Sequence, residues 1–128
     1  MDLSPGLSAR VELVVGDADT AQTLGSGDVP VLGTPRALAL CEAASVAVTA
    51  SRLPADTTTV GTYVEFNHLA PSMVGAVVVA EARLAKLEGK QLSFEVTVRQ
   101  GDTVVAEGRV ERMVVNRHGF LKKAAEAL

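Results

Sequence analysis

A hydroxyl, a carboxylate and an imidazole stand at Thr34, Glu42 and His68, each where its chemistry would be usable. Thr34 ends the glycine-rich loop Gly25-Ser-Gly-Asp-Val-Pro-Val-Leu-Gly33 and precedes Pro35, a residue suited to a helix's first turn. A helix N-terminus carries unpaired backbone N–H groups and partial positive charge, so a carbonyl oxygen there meets donors aimed at developing negative charge. Glu42 follows two turns later, roughly 12 Å along the axis. It interrupts an otherwise apolar run, Ala37-Leu-Ala-Leu-Cys41 and then Ala43-Ala-Ser-Val-Ala-Val48. A helix apolar on nearly every side should be buried, and an ionisable group in it is costly unless paired or used. His68 could approach from a neighbouring strand. A nucleophile or water, a carboxylate base and an imidazole around one carbonyl make an acyl-transfer site.

Each residue also has a plainer reading. Thr34 could simply cap the helix. Glu42 could be an interface carboxylate paired with an arginine, and His68 a core histidine holding one backbone hydrogen bond.

The elements that must position these side chains follow from periodicity. Residues 7–15 alternate loosely and predict a first strand. Residues 16–33 hold four glycines and one proline and predict a loop, with a helical turn near residues 19–24. A long helix is expected from about Pro35 to Ser51, stopped by Pro54. The period then becomes two. In residues 59–68 one parity reads Val60, Thr62, Val64, Phe66 and His68, the face expected to meet the helix. Three more strands follow, over residues 74–87, 91–99 and 103–115, broken at Glu88-Gly-Lys90 and Gln100-Gly-Asp102. A polar stop at Asn116 leads into a short terminal helix.

Consecutive strands after one helix favour α+β with an antiparallel sheet. A helix apolar all round needs a cover wider than one flat face. A strongly curved sheet of about five strands, closed further by a partner subunit, supplies it; this is the logic of the hotdog fold. At 128 residues the chain should form one domain over residues 1–128 and bury roughly two-thirds of its unfolded surface.

Composition removes other classes. The net charge is −3, and no basic cluster carries interleaved aromatics, so nucleic acid is not an expected partner. No apolar run reaches a membrane span. The first residues lack a secretion pattern, which predicts a cytoplasmic protein. Cys41 is the one cysteine, expected to be a buried, inert thiol. Two well-separated histidines give no metal-ligand spacing, so no metal is expected.

Five segments, in order and at matching intervals, resemble the fluoroacetyl-CoA thioesterase-like family of hotdog proteins. They are Gly25 to Arg36, Glu42-Ala-Ala44, Val60-Gly-Thr62, His68-Leu-Ala-Pro-Ser72 and Val74-Gly75. The resemblance implies hydrolysis of an acyl-CoA thioester, with Thr34, Glu42 and His68 as the catalytic group and either Thr34 or a water attacking. Gly61 would lie near the thioester. Gly33, Pro35 and Arg36 at the helix start, together with Arg112, are the expected substrate contacts, the arginines because their forks suit coenzyme A phosphates. Coenzyme A enters as part of the substrate, and no separate cofactor is implied. The family's members are dimers with the active site at the subunit interface.

Gly61 and His68 are seven apart and would face opposite sides of a regular strand. A bulge must intervene, or Gly61 acts through its backbone. The fluoroacetyl-CoA enzyme closes its pocket with aromatic residues before the helix, whereas residues 16–33 here contain none, which leaves the acyl group open. Two rivals remain at this stage. A hotdog hydratase is suggested by Gly27-Asp-Val-Pro30, though the histidine expected shortly after the proline is missing. A passive acyl-CoA binder would have little use for Glu42.

Overall fold

The computed structural model describes residues 1–128. Strand β1 spans Ser8–Val14 and is followed by a 3-10 turn at Asp17–Asp19 and a short helix α1 at Ala21–Leu24. The long helix α2 covers Thr34–Thr49. Four strands follow, β2 (Thr57–His68), β3 (Val77–Glu88), β4 (Gln91–Gln100) and β5 (Thr103–Asn116), and helix α3 (Arg117–Glu126) closes the chain. Asn116 caps α3, its side chain accepting from the Gly119 N–H. No helix is long and apolar enough to cross a membrane.

The five strands form one antiparallel sheet in the order β1-β3-β4-β5-β2. Hairpins at Glu88-Gly-Lys90 and Gln100-Gly-Asp102 set β3, β4 and β5 side by side, as local turns favour. The sheet curves around α2, which touches all five strands. This is the hotdog arrangement expected from the pattern. With so few aromatics, the core is aliphatic: Leu40, Ala37, Cys41, Ala44 and Val48 of α2 pack with Val78, Leu84, Leu92, Val96, Val98, Val110 and the single buried ring of Phe94.

Two faces are notable. First, the sheet of one chain does not cover α2 on every side, as expected of a helix that a partner subunit closes further. Ala39, Ala43, Val46, Ala47 and Ala50 form an exposed stripe, with Val46 45% exposed. Tyr63 and Val64 of β2, the edge strand that α2 meets less than β1, are also exposed.

Second, the parity assigned to β2 changes partway along. Gly61 pairs with Arg112 but Tyr63 pairs with Glu111, so Thr62 is an extra residue, a β-bulge. The face turned to the core reads Thr59, Gly61, Val64, Phe66 and His68, opposite Val114, Arg112, Val110, Gly108 and Ala106. Val60 and Thr62 fall instead on the outer face, where they line an apolar groove with Phe120 of α3. The bulge is what lets Gly61 and His68 share a face although seven residues separate them.

Candidate active site

Helix α2 starts one residue earlier than the proline suggested. Gly33 is its N-cap, with extended backbone and no side-chain cap bond, and Thr34 is the first helical residue. The capping reading of Thr34 is therefore corrected. Its hydroxyl is not spent on the helix but lies 2.8 Å from Nδ1 of His68. Of the first-turn donors, Arg36 and Ala37 both give their N–H to the Gly33 carbonyl at 3.0 Å, and Pro35 has none. The Thr34 N–H finds no acceptor in the chain, so the helix end offers one free donor rather than several.

His68 is held by the turn that follows it. The N–H groups of Leu69 and Ala70 both donate to the Val105 carbonyl, at 2.7 and 3.1 Å. Ser72 accepts from the Leu32 N–H at 2.9 Å, and Val31 bridges to Met73. The segment just before α2 is thus tied to the segment just after His68, and this draws hydroxyl and imidazole together. The His68 imidazole makes no hydrogen bond to the backbone, and its Nε2 is buried without a partner. A purely structural histidine avoids that cost.

Glu42 sits further along the same seam and does not contact Thr34 or His68. Its Oε2 is 3.5 Å from Nη1 of Arg112, and its side chain remains 36% exposed. Arg112 is buried; its Nε donates to Thr59 Oγ1 at 2.9 Å and its Nη2 to the Thr59 carbonyl at 3.0 Å. Burial lowers the guanidinium pKa, and the Glu42 charge pulls it back up. Gly61 leaves the room this pair needs. A Cβ there would stand 2.9 Å from Glu42 Oε2 and 3.4 Å from Arg112 Nη1.

The remaining expected contacts divide plainly. Gly33 is buried against α1, where a Cβ would come within 2.9 Å of Leu24 Cδ1 and 3.1 Å of the Ala21 backbone. Pro35 is exposed on the first turn. Arg112 is committed to Thr59 and Glu42 and is buried, whereas Arg36 is anchored through Nε to Asp19 Oδ1 at 2.8 Å. Cys41 is fully buried, and burial followed by the neighbouring Glu42 charge raises its pKa to about 12, so it is an inert thiol.

Two residues that the sequence did not single out organise the site. Thr59 is indistinguishable from its neighbours Thr57 and Thr58 until the β2–β5 register fixes its face. Asp19 could have been noticed three residues after Gly16, a capping-box spacing. It accepts from the Gly16 N–H at 2.8 Å and from Arg36, clamping the loop to α2. Beside Thr34 and His68 opens a cleft of about 380 Å³, walled by Ala21, Val29, Val31, Leu32, Leu69 and Pro71.

A family profile described as fluoroacetyl-CoA-specific thioesterase matches residues 15–118. No curated protein matches significantly by sequence. Among solved structures, the fluoroacetyl-CoA thioesterase FlK is 26% identical, with a TM-score of 0.92 and coverage of 98% of each chain. A Thermus thermophilus protein described as a thioesterase superfamily member is 27% identical over 98% of this chain and 97% of its own, with a TM-score of 0.86. A hot-dog-like protein from Thermanaerovibrio acidaminovorans, 23% identical with a TM-score of 0.90 over 98% and 93% of the chains, shows the shared fold.

The clamp on the loop gives a pH prediction. The Gly16 N–H holds the Asp19 pKa below its usual value; burial opposes it, and Arg36 adds a further lowering. Its stabilisation is therefore present above the unfolded pKa and lost as pH falls through the lower folded value. Asp19→Asn should cost about 1 kcal/mol at neutral pH. Urea unfolding of both proteins should show that difference shrinking as pH falls below the ordinary aspartate pKa of about 3.9.

Proposed function

The chain belongs to the fluoroacetyl-CoA-specific thioesterase family, and from that premise we propose how its residues hydrolyse an acyl-CoA. The observation that carries the proposal is the 2.8 Å contact between Thr34 Oγ1 and His68 Nδ1. With His68 protonated on Nε2, Nδ1 accepts from the hydroxyl and serves as general base. Thr34 Oγ1 attacks the thioester carbon as its proton passes to His68. The developing oxyanion is met by the free Thr34 N–H and the positive end of α2. The C–S bond then breaks, and the coenzyme A sulfur leaves as a thiol with the proton from His68.

Water completes the reaction by attacking the acyl-threonine ester. Glu42, partly solvated beside Arg112, flanks and orients that water, while His68, free again on Nδ1, takes its proton and returns it to the leaving Thr34 oxygen beside it. Carboxylate and free enzyme result. Thr34, Glu42 and His68 are the catalytic residues of this scheme, Gly61 keeps space for the Glu42 carboxylate, and Arg112 positions it. Gly33 and Pro35 shape the helix start that receives the carbonyl. The cleft of about 380 Å³, walled by small aliphatic side chains, suits a short or small acyl group. The family match gives the hydratase and passive-binder alternatives no support.

The working unit is a homodimer with its sites at the interface. Support comes from the exposed stripe of α2 and the free edge of β2, with Tyr63 and Val64 exposed, on the two elements that carry Glu42 and Gly61. A second copy placed there satisfies the unpaired edge and covers the helix that the composition demands be covered.

Thiol release should be measured over short, branched, aromatic and halogenated acyl-CoAs. Turnover of short members is expected; tight binding without release from any of them contradicts the hydrolase reading. Glu42→Ala should lower kcat by about 100-fold or more while the protein stays folded, and near-normal turnover would return Glu42 to a structural partner of Arg112. Sedimentation should give twice the 13.3 kDa chain mass, and Val46→Lys should yield monomers of reduced activity. A monomer at assay concentration in the unaltered protein contradicts the interface.

A further inference from the structure

The cleft beside Thr34 and His68 is uneven in charge. Asp28 is the one Asp, Glu, Lys or Arg among the 12 residues that line it. It is an exposed residue of the loop before α2, with no ion pair and no side-chain hydrogen bond, unlike Asp19, Glu42 and Glu65, whose carboxylates are all engaged. The arginines nearest in sequence to the site do not line the cleft: Arg36 is bound through Nε to Asp19, and Arg112 is buried on Thr59 and Glu42. An acyl chain entering this cleft meets aliphatic walls, neutral hydroxyl and backbone groups, and one unbalanced negative charge.

Resting on the thioesterase reading above, we propose that this cleft selects neutral acyl groups and rejects those ending in a carboxylate, with Asp28 as the residue that discriminates. The physical basis is twofold. A terminal carboxylate would find no lysine or arginine among the residues that line the cleft to receive it. It would also approach a like charge, and such juxtaposition is a common device of specificity. A neutral chain of the same length pays neither penalty and gains contact with Val29, Val31, Leu32 and Leu69. Discrimination appears in kcat/KM, because the acyl group must occupy the cleft while its carbonyl reaches Thr34.

Butyryl-CoA and succinyl-CoA make the test, since they differ by a methyl against a carboxylate at the chain end. The wild-type protein should favour butyryl-CoA by about tenfold or more in kcat/KM, the scale of one like-charge contact a few ångströms apart in partly screened surroundings. That ratio should narrow as salt rises. It should shrink several-fold in Asp28→Asn, which keeps size and shape, and further in Asp28→Lys, which supplies the missing cation. An unchanged ratio in both variants overturns the role of Asp28 while leaving hydrolysis intact. A wild-type protein that hydrolyses both thioesters equally overturns the selectivity itself. Hydrolysis of neither overturns the hydrolase reading and this proposal with it.

Discussion

One extra residue in an edge strand governs the geometry of the site. Thr62 is bulged out of the β2–β5 ladder, and from there to the end of β2 every side chain changes face. Without it, a strand that turned Gly61 towards α2 would turn His68 away. With it, Gly61 faces Glu42 and His68 faces Thr34, so two positions eight residues apart on a helix meet two positions seven apart on a strand. Before the bulge, the regular ladder turns Val60 outward beneath α3 and Thr59 inward to hold Arg112. Bulges of this kind re-aim side chains near functional sites, and here one bulge brings His68 to the face that Gly61 already holds.

The rest of the structure restrains what the bulge has aimed. Backbone ties join Leu32 to Ser72 and Val31 to Met73, so the entry to α2 and the exit from β2 move as one piece. Asp19 binds the same entry to Gly16 and Arg36. Glu42 is steadied by a guanidinium whose other donors are already satisfied by Thr59. Such preorganisation keeps reacting groups at working distance without reorganisation during the reaction. It also explains why an ionisable residue is tolerated in so apolar a helix. Arg112 compensates the Glu42 charge on one side, and water remains in reach on the other.

Much of this was legible in the sequence. The apolar run broken by Glu42, the alternating strands and the two hairpin turns specify a sheet wrapped on a helix, because each follows from a local period. The intervals of Thr34, Glu42 and His68 carry the family resemblance that the profile match bears out. What escaped depends on register, which no single strand contains. The bulge at Thr62 shows only as a conflict between Gly61 and His68, resolvable in either of two ways. The cap at Gly33 was missed because threonine before proline is the commoner signal, and glycine caps without a side chain to advertise it. The engagement of Arg36 and Arg112 was invisible because their partners, Asp19 and Thr59, lie 17 and 53 residues away.

The central claim is that the Thr34 hydroxyl and the His68 imidazole act as one reacting unit. A double-mutant cycle on kcat/KM for a short acyl-CoA, using Thr34→Ala, His68→Ala and the two combined, tests it directly. Groups that work as a unit are grossly non-additive, so the combined variant should be scarcely slower than the worse single one. Losses that instead multiply, each substitution costing the same factor whether or not the other is present, would mean that the two side chains act independently and would contradict the account.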